Sequence, residues 1–175
     1  MMTGGYRGAV IGIGNLDRGD DAAGRAVALA LRGRLPGSIL LAEESGEATA
    51  LLARVAGMDR AWLIDACVSS APPGTLHRID VTTTALPPGF TGTLSSHGFG
   101  LAEAIELARA LGQLPRQCVV LGIEASDGHI GAALSPPVAT AITGAAKLLI
   151  AEITGREATG DDTTPCALRR DIWQS

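Results

Sequence analysis

The chain has 175 residues, 46% of them hydrophobic but only 3% aromatic, with 23 glycines and a formal net charge of −4 at pH 7. That length suits one domain burying roughly 70% of the surface its unfolded chain exposes, and a core of Ala, Leu, Ile and Val suits helices laid on a central sheet rather than an aromatic-rich sandwich. With Arg169-Arg170 as the only short basic cluster, there is no basic stripe to neutralise phosphates, which argues against a nucleic-acid binder.

The first apolar run, RGAVIGI (7–13), ends at Gly14-Asn15 and predicts a strand buried on both faces. From Asp20 the pattern turns helical, with Ala23, Val27, Leu31 and Leu35 four residues apart until Pro36-Gly37. A second strand (38–44), a second helix (47–57) and a third strand (60–66) follow, a β-α-β-α-β rhythm. GTLHRIDV (74–81) alternates like a strand with one partly solvated face, and a long Thr-, Pro- and Gly-rich connection (82–96) leads to a helix over 98–111. QCVVLGIEA (117–125) predicts a strand, SDGHIGAAL a loop, and Ser135-Pro136 the N-cap and first residue of a last helix reaching Thr154. The sum is a single-domain, three-layer α/β/α fold with a central, mostly parallel twisted sheet over residues 1–154, and a tail, 155–175, expected to be mobile.

Cys67, Cys118 and Cys166 are odd in number and far apart, so they make neither a disulfide framework nor a CxxC metal site, and they fit a reducing compartment. MMTGGYRGAVIGIG has one arginine and no small-residue cleavage site, so it reads as a first strand rather than a signal peptide. No apolar run is expected to reach the ~18 residues of a membrane span. A cytoplasmic protein without a membrane partner is expected.

In open parallel sheets ligands bind beyond the carboxyl ends of the strands. Asp21 follows the first strand, Asp65 closes the third and His97 opens the helix after the long connection. Two carboxylates and an imidazole would make an open metal site with places left for water or substrate. Each residue also has a plainer role: Asp20 and Asp21 as caps of the first helix, worth about 0.3–1 kcal/mol; Asp65 as a turn former; His97 as a histidine among small residues. An acid at the end of WLIDA is costly unless paired or hydrated. GIGNLD (12–17) starts like a dinucleotide-binding GxGxxG, with Glu43 or Glu44 as a ribose ligand, but Asp17 replaces the third glycine and Asp20 and Asp21 would repel a pyrophosphate. No GK[ST] or GxSxG motif occurs, and neither Cys67 nor Cys118 has a histidine close in sequence.

GNLDRGDDAAG (14–24) resembles the G-N-x-x-x-x-D-[DE]-x-x-G opening of the nickel-iron hydrogenase maturation endopeptidases. The similarity continues through WLIDA (62–66), PPGTLHRID (72–80), SSHGFGLAEAIELARALGQLP (95–115) and GIEASDGHIGAALSPPV (122–138), in order, over about residues 7–153. The resemblance implies a cytoplasmic peptidase that removes a C-terminal extension from the hydrogenase large-subunit precursor after nickel insertion. It implies Asp21, Asp65 and His97 as metal ligands, the nickel arriving with the substrate. For the reaction itself, Asp20 or one of the ligating acids is the candidate general base. EESGE (43–47) stands where relatives often have D-G-G-T, which carries substrate contacts over to Glu44, Ser45 and Gly46; Ser45 and Glu47 depart from that pattern. The 82–96 and 125–134 loops are expected to frame the groove for the substrate tail. A non-cleaving checkpoint or chaperone that grips the nickel-loaded precursor is the alternative.

Overall fold

A computed structural model describes residues 6–87, 90, 100–126 and 128–155. Its strands are β1 (Gly8–Ile13), β2 (Ile39–Glu44), β3 (Arg60–Cys67), β4 (Leu76–Asp80) and β5 (Gln117–Glu124); its helices are α1 (Ala23–Leu31), α2 (Ala48–Val55), α3 (Leu101–Ala110) and α4 (Pro136–Thr154). A 3-10 turn, Gly19–Ala22, precedes α1. The five strands lie in the order β2-β1-β3-β5-β4, parallel except for β4, which runs antiparallel to β5. The fold is thus the expected single-domain α/β architecture with a mostly parallel sheet.

Period-2 alternation divides the sheet between two cores. Ala9, Ile11, Ile13, Leu63, Cys67 and Val120 join Leu51 and Val55 of α2 and Leu101 and Ile105 of α3. Val10, Trp62, Ile64, Leu121 and Ile123 join Val27 and Leu31 of α1 and Val138, Leu149 and Ile153 of α4 on the other face. Helices fall on opposite faces because the chain leaves β1 first toward β2 and then, through α2, crosses back to β3; right-handed connections running in opposite directions require opposite faces.

Three expectations change. The first helix ends at Leu31, not Leu35, because Arg32 turns to an extended ψ of 129° and Gly33 takes a φ of 72°. Asp65 is not the last residue of β3, which continues to Cys67. Finally, α4 has 19 residues and is long and apolar enough, by length and composition, to cross a membrane, contrary to the sequence expectation. Here it covers the sheet: Glu152 on α4 accepts hydrogen bonds from Arg78 Nε and Nη2, both at 2.8 Å, and from Trp62 Nε1 at 3.1 Å, tying the helix to β3 and β4. The proposed tail beyond Gly155, Cys166 and the N-terminal five residues lie outside the described residues.

Candidate metal centre

Strand order reverses between β1 and β3, and at such a reversal an open sheet leaves a crevice beyond its carboxyl ends. Asp21, on the turn after β1, and Asp65, near the end of β3, are both buried there, 7% and 4% exposed. Absent side chains make this approach possible. A Cβ on Gly24 would lie 2.2 Å from the Ile64 carbonyl oxygen and 2.4 Å from that of Ile13, and one on Gly14, whose φ is 135°, would lie 1.8 Å from the Asp21 carbonyl oxygen. These glycines seat the 3-10 turn and the start of α1 directly against β1 and β3, which brings Asp21 to Asp65.

The two acids share a charge problem. Burial raises the Asp65 carboxyl, the neighbouring Asp21 charge raises it further, and the Ala66 N–H only partly offsets them, so it reaches about 8. Burial also lifts Asp21, against a hydrogen bond from the Asn15 N–H at 3.0 Å and the positive charge of Arg18. Two close carboxylates of this kind hold a proton between them at neutral pH. A divalent ion bound there would replace the proton and remove the repulsion.

Asp20, one residue earlier, has a different task. Its Oδ1 accepts from the Ser135 N–H at 2.6 Å, and its Oδ2 from the Ser126 N–H and the Ser135 hydroxyl, both at 2.8 Å. It fastens the loop between β5 and α4 to the turn after β1. Ser135 is the N-cap of α4, but its hydroxyl serves Asp20 rather than the helix. Backbone bonds strengthen the junction: Gly131 N–H donates to the Asp17 carbonyl at 2.7 Å and Gly19 N–H to that of Ala132 at 3.2 Å. Among the described residues no side-chain hydrogen bond caps the 3-10 turn or α1, so hydrogen-bonded capping does not explain the paired aspartates.

Glu44 pairs with Arg54 at 2.6 Å, while Glu43 bridges Arg25 and Arg32, at 3.1 and 2.5 Å. These pairs leave neither acid poised for a ribose. Ser45 and Gly46 form the turn between β2 and α2, and the Glu44 carbonyl accepts the Gly14 N–H at 3.1 Å, placing this turn beside the crevice. His97 lies outside the described residues, as does most of the 88–99 segment. On either side of it, Arg109 of α3 donates to the carbonyls of Val81, Thr82 and Thr84, and Phe90 is buried against Gly122.

A second ionisable group escaped the sequence reading. His77 Nε2 lies 3.0 Å and Cys67 Sγ 3.7 Å from Oε2 of Glu124, and Ser69 donates its N–H to Oε1 at 2.5 Å and its hydroxyl to Oε2 at 2.8 Å. Burial and the Glu124 charge push the Cys67 thiol far up, and burial pushes Cys118 up to about 12, so neither is an activated nucleophile. The only signal in the sequence was an acid ending an otherwise apolar strand, and its partners depend on strand order.

Known proteins share this framework. The HycI family model, hydrogenase maturation protease, matches residues 30–152. The Hydrogenase 2 maturation protease of Escherichia coli K12 is 30% identical over 149 residues, covering 82% of this chain and 88% of that protein. The solution structure of an endopeptidase from Escherichia coli superposes with a TM-score of 0.74 at 27% identity, over 86% of this chain and 94% of that one. The hydrogenase maturating endopeptidase HybD from E. coli shares the fold, with a TM-score of 0.67 at 24% identity over 86% and 93% of the two chains. A sheet with its crevice between β1 and β3, a glycine-seated acid facing a buried one, and these matches lead to one conclusion: the chain belongs to the hydrogenase maturation protease family, hydrolases of peptide bonds.

Proposed function

We propose that this chain removes the C-terminal extension of a nickel-iron hydrogenase large-subunit precursor once nickel has been inserted, and that Asp21, Asp65 and His97 read that nickel. The observation that carries the proposal is the buried Asp21–Asp65 pair, which retains a proton at neutral pH until a cation replaces it. Carboxylate and imidazole ligands suit a borderline divalent ion such as nickel. A precursor lacking nickel leaves the pair protonated and gains nothing from it, so the site distinguishes finished from unfinished substrate.

The protein's own groups then orient the substrate. Glu44, Ser45 and Gly46 border the crevice on the β2 side, and the Asp20-tethered loop borders it on the other. Leu16 and Ile130, 56% and 81% exposed, stand on the two segments joined by the Asp17–Gly131 hydrogen bond, and they offer apolar contacts to an extended tail. Asp65, the carboxyl raised to about 8, gives up its proton when nickel binds, whereas Asp20, with its oxygens held by Ser126 and Ser135, is the tether. A reducing cytoplasm, where such a precursor is assembled, fits the two buried free thiols.

Mass spectrometry of a nickel-loaded precursor before and after incubation tests this. The expected result is loss of the C-terminal extension with the native chain and no loss with folded Asp21→Asn, Asp65→Asn or His97→Ala variants. An unchanged precursor mass despite binding would replace the peptidase with a non-cleaving checkpoint.

A further inference from the structure

We infer that Cys67, His77 and Glu124 form a second metal site, a buried centre for a zinc-class divalent cation, on the α2–α3 face of the sheet and distinct from the Asp21–Asp65 pair. Register brings the three together. Cys67 opposes Glu124 across β3 and β5, and His77 opposes Gly122, two residues before Glu124. Residues two apart on a strand share a face, so all three side chains leave the sheet on one side.

One ligand atom from each residue lies within 4.8 Å of the other two. A tetrahedral ion bonded at roughly 2.0–2.3 Å to nitrogen, oxygen and sulfur holds such atoms about 3.3–3.7 Å apart. Movements of about an ångström or less therefore close the site. Ser69, donating through N–H and hydroxyl, fixes the carboxylate as outer partners of metal ligands do.

Chemistry selects the ion. All three residues are at most 1% exposed. A divalent cation with one thiolate, one carboxylate and one neutral imidazole sums to zero charge, the condition a dry interior tolerates best. Sulfur and imidazole ligands favour zinc, cobalt or nickel over magnesium or calcium. On binding, the Cys67 thiol proton leaves to solvent, and the imidazole carries its proton on Nδ1 so that the Nε2 lone pair faces the ion. The bound ion joins β3, β4 and β5, two residues beyond Asp65.

Cobalt spectroscopy tests the site without reference to peptidase activity. In a full-length chain carrying Cys118→Ala and Cys166→Ala, Cys67 is the only thiol, so a thiolate-to-cobalt charge-transfer band at one equivalent of Co2+ reports its ligation. The band is expected to persist in the Asp21→Asn/Asp65→Asn background and to require at least about tenfold more cobalt when His77 or Glu124 is replaced by Gln. No charge-transfer band at saturating cobalt overturns the assignment. So does a band indifferent to both Gln substitutions in variants whose circular dichroism matches the parent.

Discussion

Removing one buried titratable carboxyl changes how stability responds to pH. In the folded protein Asp65 holds its proton to about pH 8, whereas its ordinary value is 3.8. Folding therefore binds a proton that the unfolded chain releases. The associated stability is complete below the ordinary value, falls as pH rises between the two, and stops changing above about pH 8. The slope for one proton is about 1.4 kcal/mol per pH unit, or about 2.7 kcal/mol between pH 5 and pH 7. In a chain of this size that is roughly 5–11 °C of melting temperature. Asp65→Asn keeps an oxygen for the Ala66 N–H and relieves Asp21 of its neighbour, so its melting temperature falls far less over the same interval. The assay is a thermal melt of chelator-treated native and variant protein at pH 5, 7 and 9; the difference between the two chains cancels every group they share. The native chain gains stability from added nickel at pH 7, by about 2.7 kcal/mol at a hundred times the dissociation constant of the Asp21–Asp65 site, and the variant lacks that share, keeping only what the Cys67, His77 and Glu124 cluster contributes. Parallel profiles for the two chains between pH 5 and pH 7 would refute the shared-proton account.

Gly24→Ala drives a Cβ into the carbonyl oxygens of Ile64 and Ile13, so it is expected to cost roughly 1–3 kcal/mol in urea unfolding; an unchanged midpoint would mean that the turn is not seated on β1 and β3. Asp20→Ala strands the Ser126 and Ser135 donors and is expected to cost roughly 3 kcal/mol and to speed amide exchange over the β5–α4 loop, whereas lost cleavage at native stability would give Asp20 a part in proton transfer instead. Leu16→Ser and Ile130→Ser together are expected to raise KM several-fold with kcat held, since both side chains are exposed beside the crevice; an unchanged KM removes them from substrate contact.

Much of this was legible from local pattern. Alternating strand and helix periods place every described strand and α-helix within a few residues, though not the 3-10 turn before α1, and Asp65 stands out because an acid in an apolar strand demands a partner. Other features depend on distances the sequence does not express. Leu35 continues a helical spacing that Gly33 interrupts with a left-handed turn. The antiparallel run of β4 follows from where its connections return, not from its own residues. Asp20 meets Ser135 across 115 positions, so its tether could not be separated from a cap. Cys67, His77 and Glu124 become neighbours only once β5 is inserted between β3 and β4. A search for histidines close in sequence to cysteines passes over them.

Diffraction from nickel-soaked crystals, with anomalous data at the nickel edge, tests the central claim most directly. The account predicts a nickel ion within roughly 2–2.5 Å of carboxylate oxygens of Asp21 and Asp65 and of an imidazole nitrogen of His97. A crevice between β1 and β3 without nickel at saturating concentration, or an ion there that His97 does not touch, would contradict it.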